Sequence, residues 1–88
     1  MQENVMPMKT VVTVAMRREN GWYIATSPDL KGLIVCHQSH ARFAQEIPLC
    51  IKALFKANHG IDVEVEELPS MENDDVSQIV FEAVKKVA

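Results

Sequence analysis

Residues 23–35 read YIATSPDLKGLIV, and the fold depends on how their middle is read. Tyr23, Ile24 and Ala25 suit a strand, and so do Leu33, Ile34 and Val35, being rich in the aromatic and branched types that fit a pleated sheet. Ser27-Pro28-Asp29-Leu30-Lys31-Gly32 stands between them. Pro28 has a fixed φ that suits the second position of a tight turn. Ser27 and Asp29 can bond nearby backbone amides. Gly32 can take a positive φ just before the next strand begins. As a phosphate cradle the segment is poor, with one glycine and no helix opening directly behind it. It therefore reads as a six-residue connection in a meander.

Working outward, KTVVTVAMRR (9–18) is rich in Val and Thr. Val12, Val14 and Met16 share one face, and Val11, Thr13 and Ala15 share the other. Asn20-Gly21 is a type I′ hairpin signal, so Trp22–Thr26 is the returning strand. Leu33–His37 is the third strand. Ser39 is a good N-cap for a helix over residues 40–58, with Ala44, Ile47, Ile51 and Leu54 as its buried stripe, broadened by Phe43, Cys50 and Phe55, and Gly60 at its end. Pro48 inside it predicts a kink or a break. IDVEVEEL (61–68) alternates as a half-buried strand, with Ile61, Val63 and Val65 inward. Asp74 then caps a last helix over residues 75–87, whose stripe is Val76, Ile79, Val80, Ala83, Val84 and Val87.

The expected fold is α+β, in the order β-β-β-α-β-α. A four-stranded mixed sheet, order 3-2-1-4, carries a long kinked helix, and a right-handed crossover lays strand 4 parallel to strands 1 and 3. Residues 1–8 form a flexible tail, 9–68 the domain, and 69–88 a linker and the C-terminal helix.

The 88 residues are enough for one small domain, with 48% hydrophobic residues, ordinary for a globular chain. No stretch approaches the about 20 apolar residues of a membrane helix. Thr10–Met16 lacks the basic lead and cleavage site of a signal peptide. The expected compartment is the cytoplasm, with Cys36 and Cys50 as free thiols and a single bridge between them as the alternative. The net charge is −3, unevenly spread: residues 1–44 hold five bases and three acids, residues 45–88 four bases and nine acids. Asp62, Glu64, Glu66, Glu67, Glu72, Asp74 and Asp75 follow one another without a Lys or Arg. Such a stretch repels phosphates and can attract a basic protein. The plainer reading is a solvated strand face and loop.

Chemistry is sparse. Cys36-His37-Gln38-Ser39-His40 could hold a metal or a thiolate–imidazole pair. On a strand, however, Cys36 and His37 point to opposite faces, and the structural reading is a buried Cys beside exposed His. No acid lies between Lys9 and Arg18, and Asp29 and Glu46 are the only two between residues 20 and 60, so no two-metal nuclease constellation is present. No cofactor is expected. Trp22 and Tyr23, near Lys9, Arg17, Arg18 and Lys31, give weak support for nucleic-acid binding, because adjacent strand residues face opposite ways.

In their order, GWYIATSPDLKGLIV, SHARFAQEIPLCIKALFKANHG and IDVEVEEL resemble the HicB family of prokaryotic antitoxins, and more closely the small HicB-like domains without a tail. Tyr23, Pro28, Asp29, Leu30 and Gly32 match the family's turn signature, and the likeness spans roughly residues 9–68. It implies a degenerate ribonuclease-H-like sheet without nuclease acids, no enzymatic activity, and a role in binding and blocking a small basic ribonuclease toxin of the HicA type. Asp62, Glu64 and Glu66 are the candidate contact for that partner. Where many members carry a DNA-binding unit, about 20 residues follow strand 4 here, and operator binding is not expected. Early in the long helix, where an acid is frequent, this chain has His40, Arg42 and Gln45. A homodimer or higher even oligomer is also expected, since two apolar helix stripes and a two-faced apolar sheet exceed one small core. Val76, Ile79, Val80 and Val84 are the candidate contact. An orphan dimeric domain without a toxin, and a Cys36/His37/His40 metal or hydrolase site, are the alternatives.

Overall fold

The computed structural model describes residues 9–69 and 78–86. The elements are β1 (Lys9–Glu19), β2 (Trp22–Thr26), β3 (Ile34–His37), α1 (His40–His59), β4 (Val63–Glu67) and β5 (Gln78–Lys85). They form one α+β unit: a five-stranded sheet in the order β3-β2-β1-β5-β4, with α1 on one face. Every neighbouring pair is antiparallel.

The meander forms as expected. Asn20 and Gly21 both take positive φ, 52° and 84°, the requirement of a type I′ turn. Ser39 Oγ accepts from the Arg42 amide, and Gly60 closes the helix in the left-handed region.

The last element is corrected. Within the expected C-terminal helix, residues 78–85 are the strand β5. The segment QIVFEAVK fits both periods. At period 3.6, Ile79, Val80, Ala83 and Val84 make a stripe; at period 2, Ile79, Phe81 and Ala83 make one face and Val80 and Val84 the other. The choice lies in β1. Its eleven residues pair with β2 only over Ala15–Glu19. Over Lys9–Ala15 its other flank is paired by Gln78–Val84 of β5, and a helix could not satisfy those amides. The sheet is thus five-stranded and antiparallel, not a mixed sheet of order 3-2-1-4. β4 still runs in the direction of β1, but β5 lies between them. The expected N-terminal tail, the Asp74 cap and Val76 lie outside the described residues.

The helix is also corrected. α1 runs unbroken through Pro48. Its buried residues are Phe43, Ile47, Ile51 and Phe55, while Ala44 is exposed and Leu54 only half-buried. Burying the four side chains contributes about 1.5–3 kcal/mol each, and together they outweigh the about 3 kcal/mol cost of an internal proline. The carbonyl that Pro48 deprives belongs to exposed Ala44, where water can take the bond. The four pack onto Val12, Val14, Ala25, Val35, Val63, Phe81 and Ala83, all at most 5% exposed.

Candidate functional site

The turn from Ser27 to Gly32 helps build the fold. β2 ends opposite Ala15, which leaves the Thr13 backbone without a strand on that side. The turn replaces the strand: Ser27 Oγ donates to the Thr13 carbonyl at 2.6 Å, and Asp29 Oδ2 accepts from the Thr13 amide at 2.7 Å. Ser27 Oγ also accepts from the Asp29 amide at 3.1 Å. Leu30 and Leu33 then plug the core at 5% and 2% exposure. Gly32 sits at φ 93°, and a Cβ there would lie 3.5 Å from Leu54 Cδ2. Tyr23 packs under the Arg18 guanidinium, 4.9 Å above its ring, and against His40 and Phe43. Pro28 is exposed at the turn.

The Cys–His group does not converge. Cys36 is exposed on the face away from α1, while His37 lies on the helix side with Nε2 3.2 Å from Glu46 Oε2. The expected burial is therefore reversed, because the strand register puts even positions of β3 on the open face. His40 stacks edgewise on Tyr23. Among the described residues no three His, Cys, Asp or Glu side chains are placed to hold a metal ion. Both cysteines are free thiols.

The acidic strip is redrawn. Asp62 precedes β4, and its carboxylate lies 3.5 Å from Lys56 Nζ of α1, so it does not continue the row. Glu64 and Glu66 are exposed on β4, an edge strand. Glu82 of β5 stands in register with Glu66, and sequence reasoning missed it by placing it on a helix. Lys9 Nζ lies 4.0 Å from Glu82 Oε2. Lys85 and Lys86 line a shallow depression with Glu64 and Val84. Bases thus border these acids, which the sequence order concealed. Glu72, Asp74 and Asp75 lie outside the described residues.

The expected oligomer stripe is split. Ile79 faces α1 and packs on the core, whereas Val80 and Val84 lie on the open face of the sheet. That face also carries Val11, Trp22 and Ile34, at 53%, 43% and 66% exposure. Among the described residues the remaining exposed large hydrophobic side chain is Leu49 on α1. No helix among them is long and apolar enough to cross a membrane.

No protein-family model, no curated protein and no solved structure matches this chain.

Proposed function

We propose that the protein is a HicB-like interaction domain that binds and blocks a small basic protein of the ribonuclease-toxin kind and performs no chemistry itself. The observation that supports it is the acidic edge of the sheet. Glu64 and Glu66 project from β4, joined by Glu82 across the register, and among the described residues no strand pairs the outer edge of β4, where a partner strand could add. The resemblance at Tyr23, Pro28, Asp29, Leu30 and Gly32 supplies the class of partner. With it goes the proposal of a degenerate ribonuclease-H-like sheet, in which β5 is the strand that departs from the mixed arrangement. Operator binding and membrane association are no part of the reading, and the cytoplasm is its compartment. A second reading, an orphan dimeric domain with no toxin partner, is favoured by the apolar open face.

Co-expression with a basic protein encoded beside this chain, followed by pull-down and a growth assay, tests the proposal. Co-purification and rescue of growth are expected. A HicA-like neighbour that neither binds nor is neutralised would overturn it.

A further inference from the structure

Resting on the interaction reading above, we infer that the basic partner docks by adding a strand to β4. An extended segment pairs with the outward backbone groups of Val63, Val65 and Glu67. Its cationic side chains lie beside Glu64 and Glu66, and its apolar ones beside Val63 and Val65.

The first observation is in the backbone. The Lys86 amide donates to the Asp62 carbonyl at 2.9 Å, and the Leu68 amide to the Val80 carbonyl at 2.8 Å. These two pairs extend the β4–β5 register by one residue at each end. Bonded pairs alternate along an antiparallel ladder, so Asp62, Glu64, Glu66 and Leu68 turn their N–H and C=O groups to β5. Val63, Val65 and Glu67 turn theirs outward. β4 is the last strand of the sheet, and among the described residues nothing bonds those outward groups. Such a row is a template for another strand.

The second is the sign of the charge. Glu64 and Glu66 share the open face of the sheet, and Glu67 lies on the helix side. All three are exposed, and among the described residues none is in an ion pair. Charges on an edge strand keep other strands away, but charges of one sign do so selectively. Paired with its own copy about Val65, β4 would set Glu64 against Glu66, and like charges directly opposite are destabilising. A strand bearing Lys or Arg there brings opposite charges together, with Cβ atoms about 4.5–5.5 Å apart. Lys85 and Lys86 stand at the end of β5, on the far side of β4 from the added strand. On the helix side Val63 is buried and Val65 packs on the core, so apolar residues of the added strand continue that surface.

The third is the contrast with the other edge. β3 closes the sheet with Ile34, Val35, Cys36 and His37 and carries no carboxylate. Charge therefore directs a basic segment to β4.

A synthetic peptide of alternating Lys and Val is the probe, with the intact protein followed residue by residue by amide exchange. In the free protein the amides of Val63, Val65 and Glu67 should exchange about tenfold faster than those of Glu64 and Glu66. The peptide should slow those three by about tenfold and leave β3 unchanged. A Glu–Val peptide should not bind. N-methylation of every Val, or of every Lys, blocks one edge of the peptide. One of these peptides should bind and the other should not, since a single edge faces β4. Glu67→Pro removes an outward N–H that the sheet does not use; it should stay folded and bind about tenfold more weakly. Should that variant not fold, the two methylated peptides decide on the wild type. Equal binding of both, or protection of the three amides in the free protein, overturns strand addition. So does a basic neighbouring protein that binds without protecting them, and the interaction reading then survives. Binding of the Lys–Val peptide with this pattern, where a HicA-like neighbour does not bind, supports strand addition and removes the toxin reading.

Discussion

Asp29 and Ser27 show how two side chains can substitute for a strand. Their side-chain oxygens pair the Thr13 amide and carbonyl where β2 has ended. A neutral hydrogen bond contributes about 0.5–1.5 kcal/mol and one to an ionised group about 1.5–3 kcal/mol. Asp29→Ala is therefore expected to cost more than Ser27→Ala, about 2 kcal/mol against about 1 kcal/mol by urea unfolding, and Asp29→Asn should fall between wild type and Asp29→Ala. Gly32→Ala should cost about 1–3 kcal/mol through its backbone alone, because the added methyl meets Leu54 at an ordinary contact distance. Thiol labelling of the native protein should modify exposed Cys36 faster than half-buried Cys50; equal rates would contradict the placement of β3.

At the scale of elements, β5 and α1 each pit a local preference against a packing demand. Phe81 separates the two readings of residues 78–85. It is 3% exposed and in register with Val12, yet it lies outside the stripe that a helix would bury. Phe81→Ala is expected to cost about 3–5 kcal/mol, measured by chemical denaturation with Phe81→Leu as the milder variant. A cost near zero would restore the helix. Pro48→Ala should raise stability by the order of 1 kcal/mol, since it returns an N–H to an unbroken helix. No gain would mean that the ring packs in a way that compensates the missing bond.

For the whole molecule the question is what the two exposed features of the sheet recognise. The acidic β4 edge and the apolar open face differ in their response to salt. Charge pairs at an exposed rim steer encounter and are screened within about 10 Å at 0.1 M salt, whereas apolar burial is not screened. Reversing Glu64 and Glu66 to Lys should slow association with a basic partner at low salt more than it speeds dissociation. Stopped-flow or surface-binding kinetics at two ionic strengths reads this. An unchanged association rate at low salt would move the partner's site elsewhere.

The sequence by itself determined the local events. Asn20-Gly21 admits little but a tight hairpin, Ser39 and Gly60 mark the ends of α1, and the alternation of Val63 to Glu67 marks β4; each signal resides in a few adjacent residues. The meander and the direction of β4 relative to β1 followed from these. Tertiary structure alone decided the rest. QIVFEAVK satisfies two periods, and only the unpaired flank of β1 selects the strand. Where the helix stripe is centred depended on where the sheet lay, so Phe43 and Phe55, expected at its margin, are fully buried while Ala44 is exposed and Leu54 half-buried. The acidic strip looked unrelieved because its neighbouring bases, Lys9, Lys85 and Lys86, arrive from β1 and from the end of β5. A second apolar sheet face was expected from the sequence, but its membership was not, since Val11, Trp22, Ile34 and Val80 sit on four strands and become a surface only when register aligns them. A local signal needs only the chain's own geometry, but a surface is a sum over segments, and the pairing that assembles them is written in no single one.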